Sequence, residues 1–173
     1  IESQTTFGVY IIESERVKFK SNIVKNNNND ALTLSSGCDD SFIDNNTIKD
    51  NGQSSVGKAI KLFEVDGTII YNNSILSNDY TGITIALSNS NFIVHNTIKS
   101  NGKYGISITS DLTISANNTI KDNTINDNQD IAIYIDGIFT KIINNTIKYN
   151  DKDGIQILAN GARTTIQQNN FVD

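Results

Sequence analysis

Few side chains in this 173-residue chain are suited to chemistry, and they are widely spaced: one histidine (His95), one cysteine (Cys38), two arginines (Arg16, Arg163) and four glutamates. A lone cysteine forms neither an internal disulfide nor a cysteine zinc site. A lone histidine can serve as a general base, but catalysis requires further groups beside it, so a hydrogen-bonding spacer is the simpler reading of His95. The best acidic constellation is Glu64 with Asp66, with Glu13 expected one or two repeats away; paired carboxylates at a suitable separation do general acid/base work. In Asp151-Lys152-Asp153-Gly154 two carboxylates alternate before a glycine, which makes Asp151 and Asp153 candidate calcium ligands, with Asp127 and Asp130 in the preceding loop. Calcium takes six to eight oxygens and these side chains supply about three, so turn formation is their plainer role. Calcium is the one cofactor the residues suggest.

The background composition excludes several classes. The formal charge is −5, and no basic block is present, which argues against a nucleic-acid partner. There are 29 Ile and 26 Asn but no Pro, Met or Trp. That mixture is too rich in β-branched residues for disorder and too polar for a membrane protein, and its apolar runs fall far short of the ~18 residues of a spanning helix. With no Met and no signal peptide, the expectation is a mature segment or an excised piece of a longer protein.

The elements that must position these residues are read from an internal repeat. N-T-I-K-x-N occurs at Asn46–Asn51, Asn96–Asn101, Asn118–Asn123 and Asn145–Asn150, with looser copies from Asn22, Asn73 and Asn169. The anchors 22, 46, 73, 96, 118, 145 and 169 are separated by 24, 27, 23, 22, 27 and 24 residues. Between them recurs a small residue followed by apolar-x-apolar, as in Ala31-Leu32-Thr33-Leu34 and Gly105-Ile106-Ser107-Ile108. Alternation with a period of two specifies strands. Further apolar positions lie three residues before most anchors and two after each, Ile120 among the latter. Three short strands per unit, without hairpin turns between them, predict a parallel solenoid of about seven coils, residues 1–173 forming a single domain. Asn suits the repeated corners because it tolerates left-handed backbone angles and bonds to nearby main chain. A second Asn column is expected at 27, 51, 78, 101, 123 and 150, and a lysine rib at 25, 49, 99, 121 and 148, read as a solvated face. His95 takes an Asn place in a polar column with Asn72 before it and Asn117 after it.

The G-I-x-I…I-x-x-N-x-I-x-x-N-G pattern resembles the parallel β-helix repeat of the pectate-lyase-like superfamily, in the flavour of copper-binding maturation proteins and surface proteins. The resemblance covers nearly the whole chain and implies an all-β, right-handed parallel β-helix. It also implies that an enzyme on this scaffold works on a polysaccharide lying across one sheet, with catalytic groups from adjacent coils. Against particular families the residues fall short. Asp39-Asp40 is similar to the double aspartate of polygalacturonases, but their Gly-His-Gly and Arg-x-Lys elements are absent. Neither arginine keeps the acidic company expected in a pectate lyase, and the Asp-Pro-His signature of mannuronan epimerases cannot occur without proline. One His, one Cys and no Met do not build a copper site.

The outward position of the first strand reads Tyr10, Thr33, Lys61, Thr84, Ser107, Tyr134 and Gln156. Lys61, Thr84, Ser107 and Tyr134, with Glu64 nearby, are the candidate ligand-binding residues: tyrosine stacks on sugar faces and the others hydrogen-bond, although an ordinary solvent-facing strand looks much the same. The functional expectation is an extracytoplasmic scaffold or carbohydrate-binding or adhesion module, extracellular, at the cell surface or periplasmic, without its own active site. Its partners are a polysaccharide or cell-surface glycan, and further coils or a partner chain at an end. The alternative is a fragment of a polysaccharide lyase, hydrolase or epimerase acting on an acidic polysaccharide.

Overall fold

The computed structural model describes residues 1–53, 56–110 and 115–172. Each apolar-x-apolar stretch is a short strand that pairs with its counterparts one repeat before and after, giving three parallel seven-stranded sheets. Sheet 1 takes Val9–Ile12, Leu32–Ser35, Ile60–Phe63, Ile83–Ala86, Ile106–Thr109, Ile133–Ile135 and Ile155–Ile157. Sheet 2 takes Lys18–Lys20, Phe42–Asp44, Ile69–Tyr71, Phe92–Val94, Thr119–Lys121, Lys141–Ile143 and Thr165–Gln167. Sheet 3 takes Ile23–Lys25, Thr47–Lys49, Ser74–Leu76, Thr97–Lys99, Thr124–Asn126, Thr146–Lys148 and Asn170–Val172. The result is a three-sided parallel β-helix with adjacent rungs about 4.8 Å apart. Among the described residues no helix is long and apolar enough to cross a membrane.

Period-two alternation sends one set of side chains inward from each strand. In sheet 1, Ile83, Ile106 and Ile133 are in register, as are Ile85, Ile108 and Ile135. Ile70, Ile93 and Ile120 stack in sheet 2, and Ile75, Ile98 and Ile125 in sheet 3. All of them are fully buried, and each fully buried aliphatic side chain contributes roughly 1.5–3 kcal/mol of transfer free energy. Cys38 is buried in the same core. The small residue ahead of the sheet 1 strands has a steric cause: a Cβ at Gly105 would lie 2.5 Å from Ile125 Cγ2 and 2.7 Å from the Ala132 carbonyl oxygen.

The corners carry the polar repeat. A residue with left-handed backbone turns the chain, and the next side chain bonds to the coil above it. Between sheets 2 and 3 the left-handed residues are Ser21, Asn45, Asn72, His95, Asp122, Asn144 and Gln168. The ladder beside them runs Asn22, Asn46, Asn73, Asn96, Asn123, Asn145 and Asn169, each backbone N–H donating to the next Asn Oδ1 at 2.8–3.0 Å. A second ladder, Asn27, Asn51, Asn78, Asn101, Asn128 and Asn150, turns sheet 3 into sheet 1.

One coil departs from the register expected from sequence. Asn118 does not stand in the column of Asn96; it belongs to the corner between sheets 1 and 2, accepting the Asn91 N–H, and Asn123 takes the anchor place. The coil steps are therefore 24, 27, 23, 27, 22 and 24 residues. Lys121 and Ile120 move with Asn118 into sheet 2, so Asn126 and not Lys121 follows Lys99 in the lysine rib, and Asn128 replaces Asn123 in the second Asn column. The cause is the tandem run N-T-I-K-D-N-T-I-N-D-N at 118–128, in which two successive strands offer the same motif five residues apart. The extra residues of this coil fall before that run, between Thr109 and Asn118.

Candidate functional site

The outward column of sheet 1 has the expected register: Thr33 pairs with Lys61, Lys61 with Thr84, Thr84 with Ser107, and Ser107 with Tyr134. Burial divides it. Thr33, Thr84 and Ser107 are only 2%, 9% and 3% exposed, whereas Lys61 and Tyr134 are half-buried. The short hydroxyl side chains form a floor, and the longer residues are the ones that offer contact surface. Glu64 is exposed but stands outside this column. It lies beyond the strand end at a left-handed corner position, its carboxylate accepts the Ser36 hydroxyl at 2.8 Å, and Lys61 instead sits over the Phe63 ring at 5.2 Å. Asp66 accepts the Asn89 N–H at 2.6 Å. Glu13 is two coils from Glu64, with Ser36 between them.

Beside the floor runs a wall whose composition alone gave no signal. Lys58 and Lys103 flank Tyr80, their ammonium nitrogens 5.5 and 4.7 Å from its ring centroid. Lys103 also donates to the Tyr80 hydroxyl at 2.7 Å and lies 4.6 Å over Tyr104. Tyr104 in turn stacks on Tyr134, with centroids 4.9 Å apart and planes at 10°. An unbroken cation–aromatic chain thus extends over neighbouring coils, with contacts of a type worth about 0.5–2 kcal/mol each. Apart from Tyr134, its members stand three or four residues ahead of the outward column, in connections where residue type does not repeat. Only stacking of the coils makes them contiguous.

The electrostatics favour donors and cations. Burial, then the nearby Asp136 and Tyr104, push the Tyr134 phenol above its usual value against the opposing charge of Lys103. Burial alone would lower the Lys103 ammonium; the hydrogen bond to Tyr80 and the neighbouring Tyr104 hydroxyl outweigh it and raise the group. At neutral pH the face therefore presents a neutral phenol and a firmly charged ammonium. Among the described residues neither Lys58, Lys61 nor Lys103 makes an ion pair within 4.0 Å.

His95 lies on a different edge, at the corner between sheets 2 and 3. Its neighbour in the next coil is Asp122, 3.7 Å away, and not Asn117, which moves with Asn118 to the preceding corner. Its ring meets Tyr71 edge-on at 5.5 Å. Asp151 and Asp153 are exposed on the turn leading into Ile155–Ile157, and Asp130 pairs with Lys152 at 3.2 Å. Among the described residues no three His, Cys, Asp or Glu side chains converge as a metal site needs.

The chain belongs to the right-handed β-helix family: two overlapping matches to the right-handed beta helix region span residues 1–115 and 81–171. A comparison with curated protein sequences finds no match. Among solved structures, the periplasmic alginate epimerase AlgG superposes with a TM-score of 0.86 at 17% identity, covering 98% of this chain and 43% of that one. Its D317A mutant gives 0.88 at 18% identity, covering 98% and 43%, and its T265N mutant 0.86 at 17%, covering 98% and 44%. Identity at this level shows a shared fold, and this chain spans less than half the length of the epimerase.

Proposed function

We propose that the chain is an extracytoplasmic polysaccharide-binding β-helix module that takes a glycan across the outer face of sheet 1. The continuous Lys58–Tyr80–Lys103–Tyr104–Tyr134 wall beside the Thr84–Ser107 floor carries this reading. Aromatic planes suit the C–H faces of sugar rings, and lysines that make no ion pair among the described residues suit the acid groups of a uronate-bearing chain. Rungs about 4.8 Å apart match the spacing of successive sugars in an extended polymer. A half-open face buries less of a ligand than a closed pocket, so affinity is modest.

A second reading, a polysaccharide lyase, hydrolase or epimerase acting on an acidic polymer, is favoured by the fold shared with a periplasmic alginate epimerase. The wall is built of lysines and tyrosines, with no carboxylate or imidazole among its members, which favours binding over proton abstraction. A glycan array separates the readings when each bound polymer is also assayed for reducing ends, unsaturated products and changed uronate stereochemistry. Retention without product is expected, and the Tyr134→Ala/Lys61→Ala double variant should weaken it while shifting the unfolding midpoint little. Unchanged binding in that variant moves the site off this face, and product formation establishes the enzyme.

A further inference from the structure

Sheet 2 carries a second face with a different construction. One outward column reads Lys18, Phe42, Ile69, Phe92, Thr119, Lys141 and Thr165, all in direct register. Ile69 is 37% and Phe92 44% exposed, and Tyr71 in the adjacent column 39%. Tyr71 lies parallel to Phe42 at 6.4 Å. Apolar side chains on consecutive rungs support one another, but an exposed contiguous cluster on a flat sheet also marks an interaction surface. Along the column it is flanked by Lys18 on one side and, past Thr119, by Lys141 on the other. Lys18 and Lys141 make no ion pair among the described residues, whereas the neighbouring Lys20 and Lys121 are neutralised by Asp44 and Asp122 at 2.9 and 3.5 Å.

We propose that this face is a second glycan platform, for a linear anionic polysaccharide lying along the helix axis. The five steps from Lys18 to Lys141 span roughly 24 Å, so sugar rings resting on Phe42, Ile69 and Phe92 place their acid groups within reach of a lysine at either end. Charge selects this occupant over a second copy of the chain. In a two-fold pairing of the face in either orientation, lysine ends meet lysine ends, and like charges juxtaposed at an interface are costly. The chain as a whole carries −5, so an apolar stripe flanked by two lysines that make no ion pair among the described residues is a local departure from the molecule's own field. This platform is separate from the face of sheet 1 and stands whether or not that face binds.

The test uses the full chain carrying Tyr134→Ala/Lys61→Ala, which removes contacts of sheet 1, in affinity electrophoresis through gels containing sodium polygalacturonate, sodium alginate or neutral dextran. Retention by an acidic polymer, falling as salt rises, is expected in this background. Adding Phe92→Ala should weaken it at least tenfold. Adding Lys18→Gln/Lys141→Gln, which preserves length and hydrogen bonding, should weaken it similarly and flatten its salt dependence. Thermal melts confirm that each variant is folded. The proposal is overturned if the background variant is not retained by either acidic polymer, if dextran retains it equally, or if the sheet 2 substitutions leave retention unchanged. It is likewise overturned if Phe92→Ala lowers the sedimenting mass, which would give the face to a second copy.

Discussion

The asparagine ladders set what single residues contribute. Asn73 is buried; its Nδ2 reaches Asn96 Oδ1 at 3.0 Å and the Ile43 carbonyl at 2.9 Å, while its Oδ1 accepts from the Asn46 backbone and side chain, both at 2.9 Å. Asn73→Ala therefore orphans several buried groups at once. With each costing about 1–3 kcal/mol, a loss of more than about 3 kcal/mol is expected in denaturant titration. Asn45 is exposed and left-handed, with only a 3.4 Å contact to Ser21. Glycine adopts that backbone freely, so Asn45→Gly should stay within about 0.5 kcal/mol of the parent. Equal effects at the two positions would mean that the ladder adds nothing beyond turn formation.

At the scale of the elements, the core is a set of one-residue-wide columns, and its register is the quantity to test. Ile108 lies between Ile85 and Ile135 in the middle of sheet 1, fully buried. Ile108→Ala should cost roughly 2–5 kcal/mol, the range for deleting a buried aliphatic side chain. A measured loss below about 1 kcal/mol would place this side chain on the other face, because a one-residue slip reverses every in/out assignment in a strand. Its neighbour Ser107 points outward, in register with Tyr134; Ser107→Ala removes one hydroxyl and should leave stability nearly unchanged.

For the molecule as a whole, solenoid stability is close to a sum over coils and their interfaces, so the last coil is the weak point. Its inward-column residues Ile157, Ile166 and Phe171 are 38%, 45% and 54% exposed, while their counterparts Ile135, Ile142 and Ile147 are buried. Unpaired strand edges beside exposed apolar side chains template association. The 173-residue chain should therefore self-associate end to end as its concentration rises, and Ile166→Lys/Phe171→Lys should suppress this in sedimentation velocity. Monomers at every concentration would overturn this expectation.

Most of the fold was legible in sequence because its determinants are periodic. Small-apolar-x-apolar recurs in every coil, and steric limits at Gly105 and burial at Ile106 and Ile108 follow from local pattern. The fifth coil was not legible, because Asn118 and Asn123 head identical N-T-I motifs and nothing local says which of two corners each one turns; pairing with Asn91 and with Asn96 decides it. The candidate site shows the same division. The column Lys61–Thr84–Ser107–Tyr134 follows from strand alternation alone. The wall of Lys58, Tyr80, Lys103 and Tyr104, and the Phe42–Ile69–Phe92 stripe of sheet 2, join residues of successive coils 22–27 apart in the chain, at positions whose residue type is not kept from coil to coil. Only the coiling of the backbone, with a rise of about 4.8 Å for each turn, brings them into contact and turns scattered aromatics and lysines into continuous surfaces.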